Sequence, residues 1–163
     1  MQRVLPAFYK FKVVSGTPLG RGCIAIEKIV KNEIICKMTG PSMTLKALLD
    51  KYEESEWTNP LQILEDVYLD LIEPYVCFNH SCEPNAGLRN NGILFALRDI
   101  EPNEEIYYDY STSVDDVLWN MLCLCKTKLC RKNIGDFQSI PHERKLYYLE
   151  NNALTNYIKN TFY

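Results

Sequence analysis

Three cysteines fall within the eight residues Cys123-Leu124-Cys125-Lys126-Thr127-Lys128-Leu129-Cys130. Thiols at such spacing can converge on one ion, and soft thiolate donors select tetrahedral zinc. Three thiolates leave one tetrahedral position open, for which Cys82 and His80 are the candidates. Lys126, Lys128, Arg131 and Lys132 would offset the charge of four thiolates around a dication. The chain has 7 cysteines, an odd number. The first residues, Met1 to Lys12, lack the apolar core of a signal peptide, so a reducing, intracellular setting is expected. Metal binding and buried thiols are then expected ahead of disulfides. Cys23, Cys36 and Cys77 stand in apolar, strand-like runs and read as small buried hydrophobes.

The rest of the chain reads as short strands followed by a helical tail. Phe11–Val14, Cys23–Ile26 and Glu33–Cys36 are predicted strands, separated by the turn signals Gly16-Thr17-Pro18 and Lys31-Asn32. Met43–Tyr52 has helical periodicity through Leu45, Leu48, Leu49 and Tyr52. Leu61–Leu71 alternates enough for a strand pair. Gly92–Arg98 and Glu105–Tyr108 are two further strands. Pro141–Ile158 is predicted as one helix, with Pro141 in its first turn and Leu146, Leu149, Leu154 and Ile158 on its apolar side. The fold class is therefore mostly β with helices. At 163 residues the chain suits one domain, and no apolar run approaches the roughly 20 residues of a membrane span.

The formal net charge of −3 argues against binding nucleic acid through phosphate contacts. Acidity concentrates at Asp50, Glu53, Glu54, Glu56, Glu65, Asp66, Asp70 and Glu73, with Lys51 as the one basic residue among them. Such a stretch is either a solvated face or a surface that attracts a basic partner.

Two further segments identify a family. Asn79-His80-Ser81-Cys82-Glu83-Pro84-Asn85 followed by Glu104-Glu105-Ile106-Tyr107-Tyr108-Asp109-Tyr110 resembles the paired signatures of SET-domain protein lysine methyltransferases. Leu19-Gly20-Arg21-Gly22 resembles the family's glycine loop, and Cys123, Cys125 and Cys130 resemble its post-SET zinc motif. These motifs stand in family order between about Phe8 and Phe137. The chain departs from the pattern at Met38, Pro41 and Ser111, and in the stretch Glu73–Phe78.

The resemblance implies a SET fold of short β-sheets with a pseudoknot. It divides the chain into a SET domain over 1–118 (42–73 as its variable insert), a post-SET segment over 119–137 and a helical tail over 138–163. It implies S-adenosyl-L-methionine as methyl donor, contacted by Gly20, Arg21, Gly22, Asn79, His80 and Leu124. It implies one structural Zn2+ held by Cys82, Cys123, Cys125 and Cys130. Tyr110 would be the catalytic tyrosine, and Tyr108 would limit the number of methyls added, favouring mono- or dimethylation. Asn85 and Asp109 would brace crossing segments, and Leu124, Ile134 and Phe137 would form an apolar wall over the site. The implied substrate is a basic protein or peptide, histone tails included. No nucleic-acid or membrane partner is implied, and oligomeric state is left open. Two other readings compete: a catalytically silent SET-like module that binds a partner through its zinc fold, and a redox or metal-handling protein.

Overall fold

The computed structural model describes residues 9–52, 60–117 and 119–163. Phe8, Glu53, Glu54 and Glu56 lie outside the described residues.

The chain opens with an antiparallel hairpin, β1 (Phe11–Thr17) against β2 (Gly20–Ala25). Gly16 and Gly20 take φ of 83° and 96° at its turn, a left-handed geometry that L side chains rarely adopt. A three-stranded sheet follows in the order β3 (Ile34–Lys37), β9 (Ile93–Ala96), β8 (Ala86–Arg89). A second has the order β4 (Ser42–Met43), β6 (Val67–Leu69), β5 (Leu61–Leu64). Between β4 and β5 lies α1 (Leu45–Lys51), capped by the Thr44 side chain accepting from the Ala47 N–H at 3.1 Å. Of its apolar positions only Leu48 is fully buried, and Leu49 is exposed.

The two-residue strand β7 (Asn79–His80) pairs in parallel with β10 (Tyr107–Tyr108). Sequence periodicity could not find strands this short, although it did mark the region of β10. The last ribbon, β11 (Asn120–Leu122) against β12 (Asn133–Gly135), holds the cysteine segment between its strands.

Strand β9 explains the unbroken apolar run from Gly92 to Leu97. Its alternating side chains enter two different cores. Leu94 and Ala96 join the main core with Phe11, Cys23, Ala25, Met38 and Leu88. Phe95, with Leu97 just beyond the strand, joins a second core with Phe137, Ile140, Tyr148, Leu154 and Ile158. A strand covered on both faces needs no polar alternation.

The tail differs from the single helix predicted. It forms α2 (His142–Glu150) and α3 (Asn156–Phe162). The break falls at Asn151-Asn152, where Asn152 takes φ of 54°. Thr155 then caps the second helix, its side chain accepting from the Ile158 N–H. Asn pairs and a threonine N-cap are the local signals that outweighed the spacing of the leucines. Pro141 caps α2 instead of sitting in its first turn, and Leu146 is exposed. Among the described residues no helix is long and apolar enough to cross a membrane.

Candidate active site

Strand β10 is the centre of the site. Its neighbouring residues face opposite ways, as a strand requires. Tyr107 lines a cavity of about 360 Å³ together with Leu19, Ser81, Glu83, Asn85 and Leu124. Tyr108 lines a narrow cleft of about 20 Å³ with Tyr110, Tyr68, Leu45, Asp116 and Trp119. One strand therefore stands between a ligand-sized cavity and a much smaller aromatic cleft.

Of the residues expected to contact the donor only Leu124 lines this cavity, whereas Asn79 and Arg21 stand behind its wall in a hydrogen-bonded frame with Tyr107 and Asn85. The Asn79 side-chain amide donates to the Arg21 carbonyl at 2.8 Å and to Glu105 Oε1 at 2.8 Å. Glu105 Oε2 accepts from the Tyr107 hydroxyl at 2.7 Å. Asn85 accepts from the Tyr107 N–H and donates to the Glu105 carbonyl, both at 2.8 Å. Strand β2 runs alongside, with the Ile106 N–H donating to the Cys23 carbonyl. A side chain at Gly22 would collide with the Glu105 carboxylate. The need for glycine at this position thus has a reason within the protein itself. The Arg21 side chain is half exposed and pairs with Glu73.

On the other side, Tyr110 is buried and its hydroxyl donates to the Phe78 carbonyl at 2.8 Å. Its ring lies 4.8 Å from that of Tyr108 and 5.3 Å from that of His80. Burial drives the Tyr108 phenol well above its ordinary pKa, so it remains protonated. His80 Nδ1 accepts from the Tyr110 N–H at 3.2 Å, which assigns the ring proton to Nε2, 3.4 Å from Cys82 Sγ. Burial, assisted by Arg131 and opposed by Asp109, holds the His80 pKa down at about 4. The ring is neutral, and both its nitrogens are engaged inside the protein. Only the main chain of His80 is left for a ligand.

The four expected thiols do come together. The sulfurs of Cys82, Cys123, Cys125 and Cys130 all lie within 4.8 Å of one another. Cys82 and Cys123 are 3.7 Å apart, close to the roughly 3.8 Å edge of a tetrahedron with 2.3 Å metal–sulfur bonds. The cluster could hold one metal ion. Cys82 Sγ also accepts from the Arg131 N–H and Nε–H at 3.4 Å each, contacts that favour the thiolate and oppose the rise in pKa that burial imposes. Cys23, Cys36 and Cys77 are buried apart from this cluster, and burial raises the pKa of each.

Of the apolar wall expected from Leu124, Ile134 and Phe137, only Leu124 faces the cavity. Ile134 belongs to the main core and Phe137 to the second. The acidic stretch is also more neutralised than the sequence suggested. Lys46 pairs with Asp50, Lys51 with Asp70, and Arg21 with Glu73. Among the described residues Glu65 and Asp66 make no ion pair. Glu105, Arg131 and Tyr148 escaped sequence reasoning as site residues. Their roles depend on partners distant in sequence, and only Arg131 carried a signal, next to Cys130.

Comparison with known proteins follows this geometry. The SET domain family profile matches residues 20–111, more than half of the chain. The chain belongs to the SET-domain family. This SET chain is 32% identical over 167 residues to the "Variant-silencing SET domain-containing protein" of Plasmodium falciparum (isolate 3D7), covering 86% of this chain and 6% of that protein. It is 32% identical over 143 residues to the "Probable histone-lysine N-methyltransferase set-23" of Caenorhabditis briggsae, covering 76% of this chain and 59% of the relative. The SET chain therefore spans less than two thirds of either relative. Its fold matches the methyltransferase domain of human histone-lysine N-methyltransferase SETMAR with a TM-score of 0.61 at 23% identity, covering 78% of this chain and 58% of that one. KRYPTONITE, solved in complex with mCHG DNA and SAH, matches with a TM-score of 0.58 at 22% identity, over 77% of this chain and 29% of that one. The SET fold expected from the motifs is thus the fold observed.

Proposed function

We propose that this chain is a protein-lysine N-methyltransferase that takes its methyl group from S-adenosyl-L-methionine and carries one structural zinc ion. The observation that carries this reading is the partition made by β10, a ligand-sized cavity on one face and a narrow aromatic slot on the other. Methyl transfer needs donor and amine in line but arriving separately, and such alignment supplies up to about 7–11 kcal/mol of the barrier.

The donor fits the larger cavity chemically, because Glu83 on its wall suits a cation, Leu124 suits an apolar ring face, and Arg98, itself paired with Glu104, and Lys126 suit a carboxylate. When bound, the donor supplies an electrophilic methyl on a positively charged sulfur. Gly20, Arg21, Gly22 and Asn79 would shape its cradle through the hydrogen-bonded frame described above, and His80 would contribute main-chain atoms. The lysine would enter the slot lined by Tyr68, Tyr108, Tyr110 and Trp119. A dry aromatic slot lowers the pKa of an ammonium and so favours the nucleophilic amine. The Tyr110 hydroxyl donates its proton to the Phe78 carbonyl, so toward an amine N–H it would act as an acceptor. Tyr108, protonated, can hydrogen-bond the amine and restrict its rotation for later methyls. Cys82, Cys123, Cys125 and Cys130 would hold zinc and tie the segment bearing Leu124 to the Asn79–Asn85 loop.

Asp116 on the slot, with the exposed Glu65 and Asp66 of the β5–β6 turn, which make no ion pair among the described residues, favours a lysine in a basic segment. Histone tails meet that requirement, and the names of relatives point the same way. Radiolabelled transfer from S-adenosyl-L-methionine to core histones tests the reading, with Tyr110→Phe as control. We expect label on histone lysines and at least a hundredfold loss in the variant. Donor binding by calorimetry with no transfer to histones or to a cell lysate would instead make the chain a silent binding module.

A further inference from the structure

We infer that Tyr148, on the C-terminal helix α2, is a positioning residue for Tyr110 and acts through the carboxylate of Asp109. The inference rests on the methyltransferase reading for its kinetic consequence, but its structural part stands separately.

Asp109 is 2% exposed, and its carboxylate is a junction of four elements. Its Oδ2 accepts from the Tyr148 hydroxyl at 2.9 Å. Its Oδ1 accepts from Arg131 Nη2 at 2.6 Å and from the Ser111 N–H at 3.1 Å. His80 Nδ1 lies 3.6 Å away. The residues on either side of Tyr110 are thus joined to each other by one side chain, because Asp109 caps the turn that begins at Tyr110. Any rotation of this carboxylate moves the Ser111 N–H and changes the pitch of the Tyr110 ring.

Tyr148 fixes that rotation from the side opposite Arg131. Its ring is 1% exposed, and its hydroxyl is enclosed between Asp109 and Arg144. Arg144 Nη2 donates to the same hydroxyl at 3.2 Å, and the guanidinium lies 5.0 Å from the ring centre. The phenol oxygen accepts from a cation and passes its own proton toward a carboxylate, an arrangement in which each bond strengthens the next. Burial also raises the Tyr148 phenol's pKa, consistent with a permanent donor. Removing the hydroxyl leaves Oδ2 buried with one donor fewer, and the carboxylate turns toward Arg131. A displacement well under 1 Å at the Tyr110 hydroxyl is enough to slow an in-line transfer. Tyr148 lies beyond the residues matched by the family profile. The tail is therefore assigned a part in placing Tyr110 as well as in packing.

The test uses the full chain and Tyr148→Phe, which keeps the ring and its packing. With a histone-tail peptide and S-adenosyl-L-methionine we expect kcat to fall about tenfold. KM for both reactants should stay within twofold, and metal content should equal that of the wild type. In parallel, tyrosines labelled with carbon-13 at Cζ report the Tyr110 ring directly, its resonance assigned with Tyr110→Phe. That resonance should move in Tyr148→Phe and stay in place in Tyr147→Phe. An unmoved resonance overturns the inference whatever the turnover. So does a moved resonance with unchanged kcat, or a loss explained by raised KM or lost metal. If the wild type itself transfers no methyl to any substrate, the proposed activity falls and the resonance alone decides the structural link.

Discussion

At the scale of single residues, the two tyrosines of the slot differ in how their protons are held. Tyr110 has its proton committed to the Phe78 carbonyl, whereas Tyr108 is held as a neutral phenol by burial. Tyr108→Phe should remove one polar contact to the amine and enlarge the room for its rotation. We expect the trimethyl fraction to rise several-fold by mass spectrometry, and an unchanged product ratio would remove Tyr108 from this role. Gly22 makes a different kind of prediction. Gly22→Ala would push Glu105 away and release both Asn79 and Tyr107. We expect donor affinity to fall at least tenfold by calorimetry, with the melting temperature lowered by several degrees, as a clash of about 1–3 kcal/mol produces. Tyr108, Tyr110 and the four cysteines were legible in the sequence because each sits in a dense local motif. Glu105 and Tyr148 were not, because what defines them is a partner between 26 and 39 positions away in the chain.

At the scale of elements, the cysteine ribbon is fastened beside β7 and the tail against β9. The ribbon is joined through Cys82, two residues after β7. Cys125→Ser should remove one of four ligands and release the metal. We expect zinc content to fall below half an equivalent by elemental analysis and methyl transfer to fall more than tenfold. Retention of full activity without zinc would refute the mechanical role of the cluster. The tail is fastened through the second core. Leu154→Ala should cost about 3 kcal/mol, measured by denaturant titration, because Leu154 is fully buried between β9 and the helices. Most strands were legible from turn signals and β-branched runs. The tail was misread as one helix, since leucine spacing persisted across Asn151-Asn152 while the backbone reversed there. The strand expected over Glu105–Tyr108 contains β10, but the two-residue β7 carries no period to detect, so their parallel pairing was invisible until the structure showed it.

At the scale of the whole molecule, charge is arranged against the net value. The overall charge of −3 is modest, and several acidic residues are internally paired. Among the described residues, the exposed carboxylates of this region outside any ion pair are those of Glu65 and Asp66. Attraction of a basic peptide by these exposed carboxylates should be screened by salt, with a Debye length near 10 Å at 0.1 M. We expect KM for a histone peptide to rise about threefold to tenfold between 50 and 300 mM salt, with kcat little changed. A KM indifferent to salt would show that apolar contacts alone select the substrate.

The strand that separates the two cavities has a consequence for traffic. Reactants that meet through a partition have separate doorways, so neither blocks the other's exit. A spent donor could depart and a fresh one take its place while the peptide remains seated, and successive methyls would then accumulate on one chain before any release.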